Sequence, residues 1–536
     1  NYKGHLGRVA KYFVIALALA SARPGRADLP CARCHPKEVS GYLSTPMAHA
    51  VGTPVRIPPG QMVHSTSNTQ FRIESTPAGM VQRITRKGDT SEYRIAYTIG
   101  SGNHAVGFII RQGDHLFQSP LCYFPERGWG MAPGYESSVA PDFFRPVGPE
   151  CLFCHSGRAR PKRGTINTYD DPPITAEGIT CERCHGSSEA HLQAPVPGSI
   201  VNPAKLAWRA RDSVCEQCHL SGQALILNPG RQIFDFRPGQ ALEDMYSIYV
   251  FKSSRDPSSS NPLNVISHVQ QLALSACARK SNGRLWCGTC HDPHKQPAQP
   301  VAYFRTRCLS CHGNGLLKTH PRPNEDCTGC HMPRRPVTDG GHTTFTDHRI
   351  SRGTPRQHPA SEGAGAVELV AWHEPPPEFA ARNLGLAEVS VGRNLKIPDL
   401  ALKGARLLIS SWPAFPKDAP ILIGIGEVFF DLGRIDDSAA AYEEAIKVEP
   451  QVASNYLHAA EAWRTAKNDA KAIQYLEKTI QIDPMIPEAY GELARVYGLL
   501  NQPDMVRQTW ERYVKVFPTS IEGRAVLHSI ADGSRQ

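Results

Sequence analysis

No run in the 536-residue sequence stays apolar long enough to cross a bilayer. The best candidate, Tyr12 to Ala20 (YFVIALALA), has nine residues where a spanning helix needs about 20. Disordered or fibrous composition is also absent, since 40% hydrophobic and 20% charged residues are globular values. The C-terminal part lacks a charge of one sign, with 18 basic and 20 acidic residues over 381–536. That leaves 41 basic against 30 acidic residues in 1–380, so the net charge of +9 belongs to the N-terminal part. Cysteine outside a pattern is scarce too. Of 16 cysteines, 14 fall in one repeated motif, and the chain is far longer than a disulfide-stapled scaffold.

What the sequence has begins with a charged and then apolar segment. Lys3, Arg8 and Lys11 precede Tyr12–Ala20, and small residues follow at Ala18-Leu19-Ala20 and Gly25-Arg26-Ala27. This is the layout of an export signal. Residues 1–30 are expected to be that signal or a retained N-terminal arm, and the protein to be secreted, periplasmic or extracellular.

The repeated motif is Cys-x-x-Cys-His, present seven times. Its copies are Cys31/Cys34/His35, Cys151/Cys154/His155, Cys181/Cys184/His185, Cys215/Cys218/His219, Cys287/Cys290/His291, Cys308/Cys311/His312 and Cys327/Cys330/His331. Composition alone would give about 0.02 matches. Two thiols three residues apart on one turn can add to the two vinyl groups of one haem, and the next histidine then meets the iron. Zinc ribbons and thioredoxin-like pairs also use Cys-x-x-Cys, but neither needs a histidine after every second cysteine. The expected cofactor is therefore haem c, seven per chain. Their propionates, about fourteen negative charges, balance most of the basic surplus, and this removes nucleic acid as a partner.

Second iron ligands are sought among the fifteen histidines outside the motifs. His49 follows the first motif, His104 sits in Gly-Ser-Gly-Asn-His, and His191 follows the third motif. His268 precedes the fifth motif, His294 lies three residues past His291, and His320 separates the last two motifs. His342 and His348 follow the seventh. These eight are the expected distal ligands; His64 and His115 are weaker candidates. Cys122 and Cys277, the two cysteines outside motifs, are read either as one disulfide or as two buried thiols.

The fold expected is mostly α and irregular. A haem-packed cytochrome domain over 31–350 carries a small antiparallel β-sheet inserted at 69–125. Residues 351–380, rich in Pro, Gly and Ala, read as a linker. From 381 to 536 the pattern turns helical and repeats every 34 residues, in frames 419–452, 453–486 and 487–520. Pro450, Pro484 and Pro518 recur in phase, as do Gly426, Ala460 and Ala494. Phe429, Trp463 and Tyr497 share a phase, as do Tyr442, Leu476 and Trp510. This looks like tetratricopeptide (TPR) repeats, an all-α superhelix, with a degenerate repeat at 384–418 and a capping helix at 521–536.

Further strings carry a resemblance to a family. They are Arg284-Leu285-Trp286-Cys287 through His294, Cys330-His331-Met332-Pro333, and Phe345-Thr346-Asp347-His348-Arg349-Ile350. Gly100-Ser101-Gly102-Asn103-His104 and Gly128-Trp129-Gly130-Met131-Ala132-Pro133-Gly134-Tyr135 complete the set. Over nearly the whole chain the sequence resembles bacterial multihaem c-type cytochromes with C-terminal TPR repeats. The resemblance implies bis-histidine haems, electron transfer outside the cytoplasm with redox protein partners, and TPR binding to a protein or to itself. Polymerisation into an extracellular conductive filament is a further expectation. The competing reading is a multihaem oxidoreductase of the nitrite reductase or hydroxylamine oxidoreductase type, which needs one open iron. The Cys-x-x-Cys-Lys variant of one such class is absent, and histidines are plentiful. An electron carrier is favoured over an enzyme.

Overall fold

The computed structural model describes residues 30–54, 57–77, 79–256, 263–313, 315–320, 326–341, 343–352 and 367–533. Residues 1–29 of the expected export segment, and His342, lie outside the described residues.

Between the first and second motifs the chain builds a nine-stranded antiparallel sheet. Its strands are β1 (Val51–Gly52), β2 (Gly60–His64), β3 (Thr69–Thr76), β4 (Gly79–Arg86), β5 (Asp89–Ile99), β6 (Val106–Gln112), β7 (His115–Phe124), β8 (Gly128–Met131) and β9 (Arg145–Pro146). Strands β2 to β8 pair in sequence order, β1 adds to β5, and β9 adds to β7. In β3, Thr69, Phe71 and Ile73 are buried while Gln70 and Arg72 are exposed, the alternation of a half-buried strand. The β4–β5 turn has positive φ at Lys87 and Gly88, which suits the twist of a tight hairpin.

The sheet is larger than the expected insertion at 69–125. It starts before residue 69 and ends at Pro146, because the meander curls until β8 lies beside β2. There Trp129 donates from its indole N–H to the Pro58 carbonyl at 3.1 Å. Phe71, Ile73, Phe108, Phe117 and Phe143 fill the space this curl encloses. Ile109 and Leu116 pack on the other side, against Val147, Leu152 and Tyr169. Strands β6 and β7 are therefore covered on both faces.

A second sheet joins Ala224–Leu227, Tyr246–Phe251 and Leu369–Ala371. Its last strand lies in the stretch read as linker, with Val370 opposite Val250. The composition of 351–380 misled there, since three apolar residues suffice to extend an existing edge. Residues 353–366 of that stretch lie outside the described residues.

The C-terminal helices are α1 (Pro377–Asn394), α2 (Pro398–Ser411), α3 (Ala419–Asp431), α4 (Ile435–Val448), α5 (Ala453–Thr465), α6 (Asp469–Ile482), α7 (Pro487–Leu499), α8 (Pro503–Val516) and α9 (Ile521–Gly533). Each packs on the next in chain order, as stacked helical pairs do. Proline opens α1, α2, α7 and α8 at first-turn positions that have no N–H to lose. The phase-locked small residues mark close approach. A Cβ on Gly426 would lie 2.6 Å from the Tyr442 ring.

The helical array leans on the N-terminal part by its inter-repeat loops. Asp483 Oδ1 lies 3.1 Å from His115 Nε2, and Phe517 meets Phe144 edge-on at 5.2 Å, 34 residues further along. The Thr519 carbonyl accepts from Ser91 Oγ at 2.6 Å and from the Tyr93 hydroxyl at 3.1 Å. At the other end Arg382 donates to the Leu227 carbonyl at 2.6 Å, and Asn383 donates to Asn228 at 2.8 Å.

Candidate functional site: a shared cavity lined by opposed imidazoles

Each Cys-x-x-Cys-His copy sits on a helical turn. His35, His185 and His291 donate their backbone N–H to the carbonyl of the first cysteine at 2.8, 2.8 and 2.9 Å. That bond fixes the turn, so both thiols share a face and the imidazole projects beside them.

The turns surround one cavity of about 3250 Å³. All seven motif histidines and every motif cysteine except Cys151 line it. Divided by seven the volume is about 460 Å³, within the roughly 300–1,000 Å³ that encloses one drug-sized ligand. Helix Pro300–His312 runs 13 residues along this cavity without one buried side chain. A helix gains its stability from packing, so this one needs a non-protein partner. Those observations fit covalently held haem.

Within the cavity, motif histidines face histidines from outside the motifs. His35 and His191 have ring centroids 6.4 Å apart with planes at 22°, and His185 and His294 are 5.9 Å apart at 22°. His291 and His348 are 6.2 Å apart at 32°, and His331 and His320 are 6.1 Å apart at 64°. Two metal–nitrogen bonds of about 2 Å plus the ring radii give about 6 Å between centroids of two axial imidazoles. These four pairs have that spacing. His219 meets His268 at 5.4 Å with planes at 88°, and His268 also meets His348 at 4.9 Å. Among the described residues no three His, Cys, Asp or Glu side chains converge as they would on a bare ion.

Hydrogen bonds orient several of these rings. Nδ1 of His185, His331 and His348 points at the carbonyls of Val201, Ser351 and Thr346, at 2.8, 2.8 and 2.9 Å. Nδ1 of His155 lies 3.2 Å from the Ala50 carbonyl, and that of His191 lies 2.8 Å from Ser199 Oγ. A ring that donates from Nδ1 presents the Nε2 lone pair, which is what a metal accepts. Asp347 bonds Arg349 and Arg335, and Gln271 Oε1 accepts the His348 backbone N–H at 2.8 Å, bracing that segment. These acceptors are mostly backbone carbonyls, and so nothing in the side-chain sequence marks them.

Burial favours the neutral form of several of these rings. It lowers the pKa of His104, His155, His185, His219 and His348. Burial and then the neighbouring histidines push His268 down to about 3 and His291 to about 4. Only the neutral imidazole can bind a metal.

Other expected ligands are placed differently. His49 does not line the cavity, and its Nε2 lies 2.7 Å from the Leu43 carbonyl, which occupies the atom needed for iron. His64 has both ring nitrogens engaged, by Ser67 Oγ at 2.8 Å and the Glu136 carbonyl at 2.9 Å. His115 is held by Asp114 and Asp483. His104 lines the cavity but stacks on Phe345 at 4.2 Å. Among the described residues no imidazole stacks on His155 or His312. Cys122 is buried in the β-sheet core and Cys277 lines the cavity; both are free thiols, so the disulfide reading does not hold here. Burial pushes the Cys122 thiol up to about 12.

Thiols of different motifs adjoin. Cys154 and Cys218 are near enough to shift one another's titration, as are Cys215 and Cys287, and Cys327 raises that of Cys308. Cys184 neighbours Cys218, and Cys290 neighbours Cys311. His35 adjoins His185. The second motif thus neighbours the fourth, the fourth the fifth, and the sixth the seventh.

Comparison with known proteins agrees with both halves. The cytochrome c554 and c-prime family matches residues 137–186, which carry the second and third motifs, so this part is similar to a c-type cytochrome that holds haem. The tetratricopeptide repeat family matches residues 423–484, so the C-terminal helices are TPR repeats. No curated protein matches the chain. Solved structures of repeat proteins are similar to part of the chain. The MamA protein is 18% identical over 29% of this chain and 82% of its own, with a TM-score of 0.26. A thermophilic TPR protein of Thermus thermophilus is 14% identical over 28% and 80%, with a TM-score of 0.24. The first TPR of Spaghetti bound to an HSP90 peptide is 19% identical over 22% and 94%, with a TM-score of 0.20.

Proposed function

We propose that this chain is an exported c-type cytochrome that holds seven haems and passes electrons between protein partners. The observation that carries the reading is the set of opposed imidazoles, each pairing a motif histidine with one from elsewhere at about the spacing of two axial ligands. Haem supplies reversible one-electron chemistry when bound. The chain's own residues do the rest. Motif cysteines tether the cofactors, motif histidines and His191, His268, His294, His320 and His348 cap the irons, and the adjoining thiols set neighbouring cofactors within transfer distance. The repeats offer a surface for a partner. Export rests on the Lys3–Ala27 pattern, and self-association into a filament is the extension of the same reading.

One observation favours the second reading, an oxidoreductase with an open iron. His155 and His312 face no second imidazole among the described residues. A haem count by pyridine haemochrome, with low-temperature electron paramagnetic resonance of the oxidised protein, separates the two. Seven haems with only low-spin signals support the carrier. A stoichiometric high-spin signal supports the enzyme, with nitrite and hydroxylamine as first substrates to assay.

A further inference from the structure

The basic surplus is concentrated in one lobe. Of the excess of eleven positive charges in residues 1–380, six fall within residues 275–320, which hold seven basic residues and the single acidic Asp292. Arg279, Lys280, Arg284, Lys295, Arg307 and Lys318 are exposed. Asp292 is already engaged, 3.5 Å from Lys295 Nζ and 3.4 Å from His294 Nδ1.

The same lobe carries the fifth and sixth motifs, and the redox site is open to solvent there. Cys311 and His312 are exposed. Haem propionates inside the cavity can neutralise Lys280, Arg284 and Arg307, which line it. Arg279, Lys295 and Lys318 do not line it, so their charge acts on what approaches from outside. A compact positive field around an accessible redox centre raises encounter rates with an anionic partner by about 10–10³, and salt removes the gain.

We propose that residues 275–320 form the docking face for an acidic redox protein, with electrons crossing at the fifth and sixth motifs. This rests on the electron-transfer reading above. Each transfer moves one electron between the partner's redox centre and a haem iron, and exchanges no proton or atom.

The test uses the full haem-loaded chain, oxidised, and follows its reduction in a stopped-flow spectrometer. Reduced plant-type ferredoxin serves as the acidic protein donor, and reduced methyl viologen as a small cationic donor. The lobe variant is Arg279→Glu, Lys295→Glu and Lys318→Glu together. The control, Arg406→Glu, Lys417→Glu and Lys515→Glu on the repeats, changes the net charge equally. At low ionic strength the lobe variant should take electrons from ferredoxin about tenfold more slowly than wild type, and the control less than threefold. The difference should vanish in high salt, while methyl viologen reacts no more slowly with the lobe variant. Equal slowing in lobe and control overturns the docking face. Binding of wild type to phosphatidylserine vesicles at physiological salt, lost in the lobe variant, overturns the protein partner in favour of a membrane. Reduction of wild type by neither donor overturns the electron-transfer reading itself.

Discussion

His185 and His294 lie 5.9 Å apart between ring centroids, 22° from parallel, although 108 residues of chain and two further motifs separate them. An iron held between them, as proposed above, accounts for two rings opposed in this way. His294→Ala should therefore convert one haem from low-spin to high-spin, seen as a new signal of about one-seventh of the iron in electron paramagnetic resonance. His49→Ala, whose Nε2 is taken by the Leu43 carbonyl, should leave the spectrum unchanged. A high-spin signal from His49→Ala and none from His294→Ala would reverse the assignment.

Gly426 sits where a side chain would strike Tyr442, since a methyl carbon added there would lie 2.6 Å from the ring. Gly426→Leu should destabilise the repeats by about 1–3 kcal/mol through overpacking. Denaturant unfolding followed by circular dichroism at 222 nm measures this. An unchanged midpoint would show that the α3–α4 contact gives way freely.

Asp483 ties an inter-repeat loop to the β-sheet through His115 and also accepts the Met485 backbone N–H at 2.9 Å. Asp483→Ala should cost about 1–2 kcal/mol and make the repeats melt before the haem part. Thermal melts read at 222 nm and at the haem absorption band would then separate. Coincident melts would mean that the remaining contacts hold the halves together.

Asp142 is half-buried where β5 meets the α8–α9 loop, accepting from the Tyr93 hydroxyl at 2.7 Å and the Phe143 N–H at 2.8 Å. Burial raises its pKa above the usual carboxylate value. The folded state therefore holds the proton more tightly than the unfolded chain. Stability from this group is present below the unfolded pKa and is lost as pH rises through the folded one. Asp142→Asn keeps both accepted hydrogen bonds without the buried charge. It should raise the melting temperature at pH 7, with the advantage shrinking towards pH 4. A lower melting temperature at pH 7 would show that the charge is stabilising, through Arg86.

Much of this architecture is legible in the residues because period and spacing are local properties. Strands β3 to β5 stand out because their buried and exposed positions mostly alternate. The helical pairs stand out because 34-residue phasing repeats the same close contacts at Gly426, Ala460 and Ala494. β7 carries no such signal, being buried on both faces through Leu116, Phe117, Leu121 and Cys122. β8 is glycine-rich and is a strand only because β7 offers it an edge. Leu369–Ala371 in the supposed linker is a strand for the same reason.

The sequence by itself determined the chemistry. Seven Cys-x-x-Cys-His copies each place two thiols and an imidazole together, since three- and four-residue spacings act within one helical turn. Tertiary structure alone decided which histidines oppose which, and why His49 and His64 do not. A histidine from outside the motifs meets a motif histidine across the fold, and whether its Nε2 is free depends on carbonyls brought near by distant backbone. The docking of the repeats on the sheet, through His115 and Asp483, was likewise decided by packing between segments that no local pattern connects.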